Sequence, residues 1–117
     1  MRHNDEDWRF RGRARPAGLP LARFTRRELD EILRVYGRKV AAGEWRDYAI
    51  DQGNEKAIFS VFRRTSEMPL YRIVKQPKLA RRQGAYSIVT PTGLILKRGH
   101  ELRQVLTAID PPLKVVA

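Results

Sequence analysis

At Gly43 the apolar residues change their spacing, and every connection after it is too short for anything but a turn. The runs "WRDYAI", "KAIFSVFRR", "LYRIVKQ", "AYSIVT" and "GLILKR" are rich in β-branched and aromatic residues, which suit a pleated, half-buried surface. Between them stand "DQGNE", "TSEMP", "PKLARRQG" and "PTG", clusters of turn-forming residues. A parallel neighbour requires a crossover of about a dozen residues or more, so strands joined by such links pair antiparallel. The sequence predicts a meander of four to five strands.

Before Gly43 the period is helical. In "FTRRELDEILRVYGRKVAAG" Thr25 stands as N-cap with Glu28 three residues on, and Phe24 and Leu29 occupy the two positions of a hydrophobic staple. Leu29, Ile32, Leu33, Tyr36 and Val40 recur at helical spacing, which predicts one buried face, and Gly43 supplies the stop. After the strands, "HELRQVLTAID" reads as a second helix burying Leu102, Val105, Leu106 and Ile109, ended by Pro111 and Pro112. The expected fold is α+β: an antiparallel meander with one helix before and one after it, both packed on one face. A chain of 117 residues holds one such core. The expected division is an Arg-rich arm over residues 1–23 and a single domain over 24–117.

Charge is unevenly distributed along this plan. The formal net charge is +11, from 24 Lys and Arg against 13 Asp and Glu. Residues 1–27 carry +5, residues 28–55 carry −3 and residues 56–117 carry +9. Between Glu67 and Glu101 no acid occurs, while Arg72, Lys75, Lys78, Arg81, Arg82, Lys97 and Arg98 supply positive charge. Solvated surfaces usually intersperse signs to avoid self-repulsion, so a one-sign run inside a folding segment points to a binding surface. Eighteen of the cations are Arg, whose planar fork holds phosphate or carboxylate with two hydrogen bonds. A GC-rich genome produces the same excess, so the ratio by itself does not decide.

Several chemistries find no footing. The absence of Cys excludes disulfides and thiolate zinc sites. No apolar run approaches the ~18 residues of a membrane span, and "MRHNDEDWRF" lacks the apolar centre of a secretory signal. The acids of "NDEDW" also argue against a mitochondrial presequence, so the expected location is cytoplasmic. His3 and His100 are far apart, and His100 beside Glu101 reads as a capping or surface histidine. No Ser lies in a nucleophile motif, and "TPTGLILKRG" lacks the glycine spacing and Gly-Lys-Ser/Thr end of a phosphate-binding loop. Asp47, Asp51 and Glu55 are spaced poorly for the clustered carboxylates of a metal nuclease. The expectation is a protein that is not an enzyme, with no cofactor, no metal and no small-molecule ligand.

"GEWRDYAI", "FRRTSEMPLYRIVKQPKLARRQGAYSIV" and "TGLILKRGHELRQVL" together resemble the short bacterial proteins, mostly alphaproteobacterial, catalogued as domain of unknown function 2794. The resemblance runs from Phe24 to about Val115. It implies a bacterial cytosolic, stand-alone domain and brings no activity, cofactor or catalytic residue with it.

Chain order then places the basic run. The cluster of Lys75, Lys78, Arg81 and Arg82 falls where the third strand gives way to the fourth, with Pro77 breaking the strand. In a meander the ends of strands three and five share one edge, so this loop joins Lys97 and Arg98, and Arg63 and Arg64 sit apart. Tyr71 and Tyr86 flank the loop; exposed rings beside cations stack bases of single-stranded RNA or DNA, but a small sheet also needs aromatics in its core. The arm adds Arg9, Arg11, Arg13 and Arg15 in "RFRGRARP", a composition that orders on nucleic acid or on an acidic protein surface. The expected partner is nucleic acid, RNA slightly favoured over DNA. It would be held by Lys75, Lys78, Arg81, Arg82, Tyr86, Lys97 and Arg98 together with the four arginines of the arm. The alternative is an assembly or regulatory subunit docking its basic surface onto an acidic protein partner or large complex.

Overall fold

The computed structural model describes residues 22–64 and 68–112. Helix α1 (Arg26–Ala41) begins where the sequence places it: Thr25 Oγ1 accepts from the Glu28 N–H at 3.1 Å, and Glu28 Oε1 accepts from the Thr25 N–H at 2.7 Å. This reciprocal box satisfies two amide donors that a helix start would otherwise leave open. At the other end Gly43 takes φ +78°, a left-handed turn that only glycine adopts without steric cost.

The strands are β1 (Asp47–Gln52), β2 (Ala57–Phe62), β3 (Tyr71–Lys75), β4 (Tyr86–Val89) and β5 (Ile95–Gly99). They pair antiparallel in the order β1-β2-β3-β4-β5, the expected meander. Helix α2 (Leu102–Leu106) packs on β4, β5 and α1, and is a shorter helix than its sequence suggested because residues from Thr107 continue as turns. All four residues expected to be buried there, Leu102, Val105, Leu106 and Ile109, are in the core.

Alternation assigns each strand residue to a face. Ala57, Phe59 and Val61 of β2, Ile73 of β3 and Ile88 of β4 meet Ile32 and Val35 of α1 and the α2 residues in one apolar cluster. Tyr48 stacks on Phe59 with ring centroids 4.8 Å apart, and Tyr36 meets Tyr48 edge-on at 5.0 Å. Each of the fully buried side chains contributes roughly 1.5–3 kcal/mol relative to exposure. Ala22 and Phe24, just ahead of the capping box, join this core.

The stripe expected on α1 is corrected in one respect. Ile32 is buried and Leu29 and Tyr36 are partly so, but Leu33 and Val40 are exposed and Val35 is buried instead. The reason is α2: it packs beside α1 and turns the buried arc toward Val35.

The opposite face of the sheet carries Asp47, Ala49 and Asp51 of β1, Ile58, Ser60 and Phe62 of β2, Arg72 and Val74 of β3, Ser87 and Val89 of β4, and Arg98 of β5. Neither described helix packs on it. Among the described residues no helix is long and apolar enough to cross a membrane.

Candidate functional site

The basic run leaves β3 through a tight loop. Pro77 starts a single 3-10 turn, Pro77–Leu79, and the Leu79 carbonyl then accepts the N–H groups of Arg82, Gln83 and Gly84 at 3.0, 3.2 and 2.9 Å. The loop closes with the Gln76 N–H on the Ala85 carbonyl at 2.7 Å. Gly84 makes the return possible. Its φ is +103°, and a Cβ there would collide with the carbonyl group of Gly99 on β5.

Lys78, Arg81 and Arg82 project from this loop into solvent. Lys78 lies 3.6 Å from Glu55 in the β1–β2 turn, with both side chains mostly exposed, a pairing worth little in water. Arg81 and Arg82 have no acidic partner among the described residues. His100 does not cap α2 but stays on the surface, where its Nδ1 lies 3.1 Å from the Ala80 carbonyl and ties the end of β5 to the loop. The loop and the end of β5 thus share one edge of the sheet, and Arg63 and Arg64 lie at the other. At that far end Arg46, Arg63 and Arg64 rim a separate pocket of about 380 Å³ beside Trp45.

Two of the expected site residues turn inward. Lys75 donates to Glu28 Oε1 and to the Arg23 carbonyl, both at 2.8 Å, and its side chain is 15% exposed. Tyr86, opposite Lys75 in the β3–β4 register, donates its hydroxyl to Glu28 Oε2. Burial by itself would raise the Glu28 carboxyl. The hydrogen bonds from Lys75, Tyr86 and the Thr25 N–H, with the charge of Lys75, outweigh it and hold the carboxyl below its usual range. Tyr86 is pushed well above the ordinary phenol value, first by burial and then by its bond to Glu28. Lys75, Glu28 and Tyr86 therefore form an internal clamp between α1 and the sheet.

The remaining candidates divide by face. Lys97 points to the helix side and donates to Thr107 Oγ1 at 3.0 Å, whereas Arg98 points to the opposite face beside Ser87. Tyr71 lies on the helix side and packs against the core, so neither tyrosine stands as an open ring beside the loop. Arg72, absent from the expected set, shares the second face with Arg98; counting alternate residues back from Val74 would have found it. Asp47 and Asp51 lie on that face too, while Glu55 is in the turn, and no group of three potential metal ligands occurs among the described residues. Arg9, Arg11, Arg13 and Arg15 lie outside the described residues.

A comparison with curated proteins and a comparison with solved structures each found no match. A family model does match, over residues 22–106, from the first described core residue to the last residue of α2. That span is well over half of the chain, and the chain belongs to the family described as "Protein of unknown function (DUF2794)".

Proposed function

We propose that this is a small non-enzymatic protein that binds the phosphate backbone of nucleic acid, single-stranded RNA slightly favoured over DNA. The observation that supports it is the loop: Lys78, Arg81 and Arg82 project together from one end of the sheet, and neither arginine has an acidic partner among the described residues. Guanidinium and ammonium groups held this way gain from neutralising phosphates and releasing counterions. Arg9, Arg11, Arg13 and Arg15 would extend the contact, and Lys97 and Arg98 border it. Lys75 and Tyr86 serve the clamp with Glu28 instead of the ligand. Without an open ring at the loop, base stacking contributes little there and binding is tolerant of sequence.

The second reading, docking onto an acidic protein, draws support from the start of β5, where Leu94, Ile95 and Leu96 are 62%, 45% and 41% exposed ahead of Lys97 and Arg98. Fluorescence anisotropy with a labelled single-stranded RNA across a salt series separates the two. Binding that weakens steeply with salt supports the nucleic-acid reading; absence of binding at low salt overturns it in favour of the protein partner.

A further inference from the structure

The far end of the sheet gathers cations in a different setting from those on the loop. The Arg46 N–H donates to the Phe62 carbonyl at 2.7 Å, which sets Arg46 beside Arg63, the residue after Phe62. Both side chains are exposed, and with Val40, Gly43, Trp45 and Arg64 they line a pocket of about 380 Å³ between the end of α1 and the β1–β2 ladder. Like charges brought together across a ladder repel.

The surroundings do little to offset that repulsion. No acid lines the pocket. Glu44 faces Lys39 at 3.5 Å, and Asp47 stands on the opposite face of the sheet. The carbonyls that end α1, where a cation would otherwise be drawn, already accept amides: Arg38 from Ala42, Val40 from Gly43, and Lys39 from both Glu44 and Trp45. Among the described residues Arg46 and Arg63 thus have no acidic partner.

The geometry also selects the kind of anion. Adjacent guanidinium forks present paired donors and a doubled positive charge. A carboxylate carries a single charge and serves one fork, and a phosphodiester within a strand is likewise a monoanion. A phosphomonoester has nearly two negative charges at neutral pH and three acceptor oxygens, enough to serve both forks at once. The pocket is roomier than a phosphate group, which leaves space for the first atoms of its substituent against Val40 and Trp45.

We propose that Arg46 and Arg63, with Arg64 at the rim, bind a phosphomonoester in this pocket. The group belongs either to a small phosphorylated molecule or to the terminal phosphate of a nucleic-acid strand. The site lies about 20 Å along β2 from the Pro77 loop and shares no residue with it, so it holds whether or not the loop binds nucleic acid.

Uridine 5′-monophosphate is the probe and uridine the control, each titrated calorimetrically into the full chain at about 0.15 M salt, where long-range attraction is screened. The expected result is one saturable site for the monophosphate and none for uridine. Arg46→Gln and Arg63→Gln should each weaken binding by about tenfold or more. The melting temperature should not fall, since both side chains are exposed and repel each other. Changing Lys78, Arg81 and Arg82 to Gln together should leave the affinity within about twofold, as expected of a distant site. Two RNA oligomers of one sequence then identify the source. Tighter binding of the 5′-phosphorylated form than of the 5′-hydroxyl form, with the difference removed by Arg63→Gln, assigns the site to strand ends; equal binding of the two assigns it to small phosphorylated molecules. Absence of saturable binding by the monophosphate, or binding that survives both arginine substitutions, overturns the proposal. So does equal weakening by the three loop substitutions, which would reduce the effect to net charge.

Discussion

Lys75 at the end of β3 and Glu28 in the first turn of α1 meet at 2.8 Å across 47 positions of sequence. The carboxylate that completes the capping box of α1 is therefore also the counter-ion of a strand lysine and the acceptor of the Tyr86 hydroxyl. One side chain joins a local signal to a tertiary contact. The opening of the helix and the edge of the sheet are stabilised together.

Removing that carboxylate leaves a mostly buried ammonium and a partly buried phenol without their acceptor. Glu28→Ala is expected to lower unfolding free energy by about 3 kcal/mol, read by urea denaturation. Lys75→Met is expected to cost stability as well but to leave RNA affinity and its salt dependence unchanged. A loss of affinity in a folded Lys75→Met protein would return Lys75 to the ligand surface.

Acid should reveal the same clamp. The Glu28 carboxyl titrates lower in the folded protein than unfolded, so as pH falls the unfolded chain takes up this proton first. Its contribution is complete above the unfolded value of about 4.3 and is lost as pH falls through the folded value. The stability difference between the protein and Glu28→Gln should stay constant from about pH 8 to 5 and shrink below about pH 4. Tyr86 acts in the opposite direction: its raised phenol contributes fully below about pH 10 and loses that contribution as pH rises further toward the folded value.

Thr25→Ala is expected to cost about 1 kcal/mol by depriving the Glu28 N–H of its acceptor. RNA binding should be unaffected, since Thr25 is remote from the loop in its role. Lost affinity at an unchanged melting temperature would place the helix start in the interface.

Gly84→Ala should be among the most damaging single-methyl additions in this chain. The positive φ is strained for alanine, and the new methyl meets the Gly99 backbone, which cannot rotate away as a side chain would. A cost of about 2–4 kcal/mol is expected, measurable by thermal melting. Gly93, also at positive φ but with open space around it, should suffer less from the same substitution.

The loop itself is tested by reversing Lys78, Arg81 and Arg82 to Glu together. With three phosphates neutralised at about 0.7 each, the slope of log affinity against log salt for a single strand should flatten by about 2. Affinity for unrelated sequences should fall alike, because phosphate contacts carry no base information. Stability should hold, since among the described residues the ion pair lost is the exposed one between Lys78 and Glu55. An unchanged slope would assign these cations to solvent or to a protein partner.

Much of the architecture could be read along the chain because its causes are local. Thr25 and Glu28 sit one helical turn apart and cap each other whatever lies beyond them. The period of two with links too short for a crossover leaves the meander as its sole simple solution, and chain order then puts the Pro77 loop at the edge shared with the end of β5. What the sequence could not contain is the neighbour each side chain meets across the fold. The buried arc of α1 includes Val35 instead of Leu33 and Val40 because α2, more than sixty residues on, packs against that side. Lys75 belongs by position to an acid-free basic run, but charge pairing acts through space, and antiparallel pairing with β4 brings Lys75 and Tyr86 side by side beneath a glutamate from the first helix. Among the described residues the loop cations meet no buried acid of this kind, so Lys78, Arg81 and Arg82, like Lys97, keep the exposure that a count along the sequence assigned to the whole run.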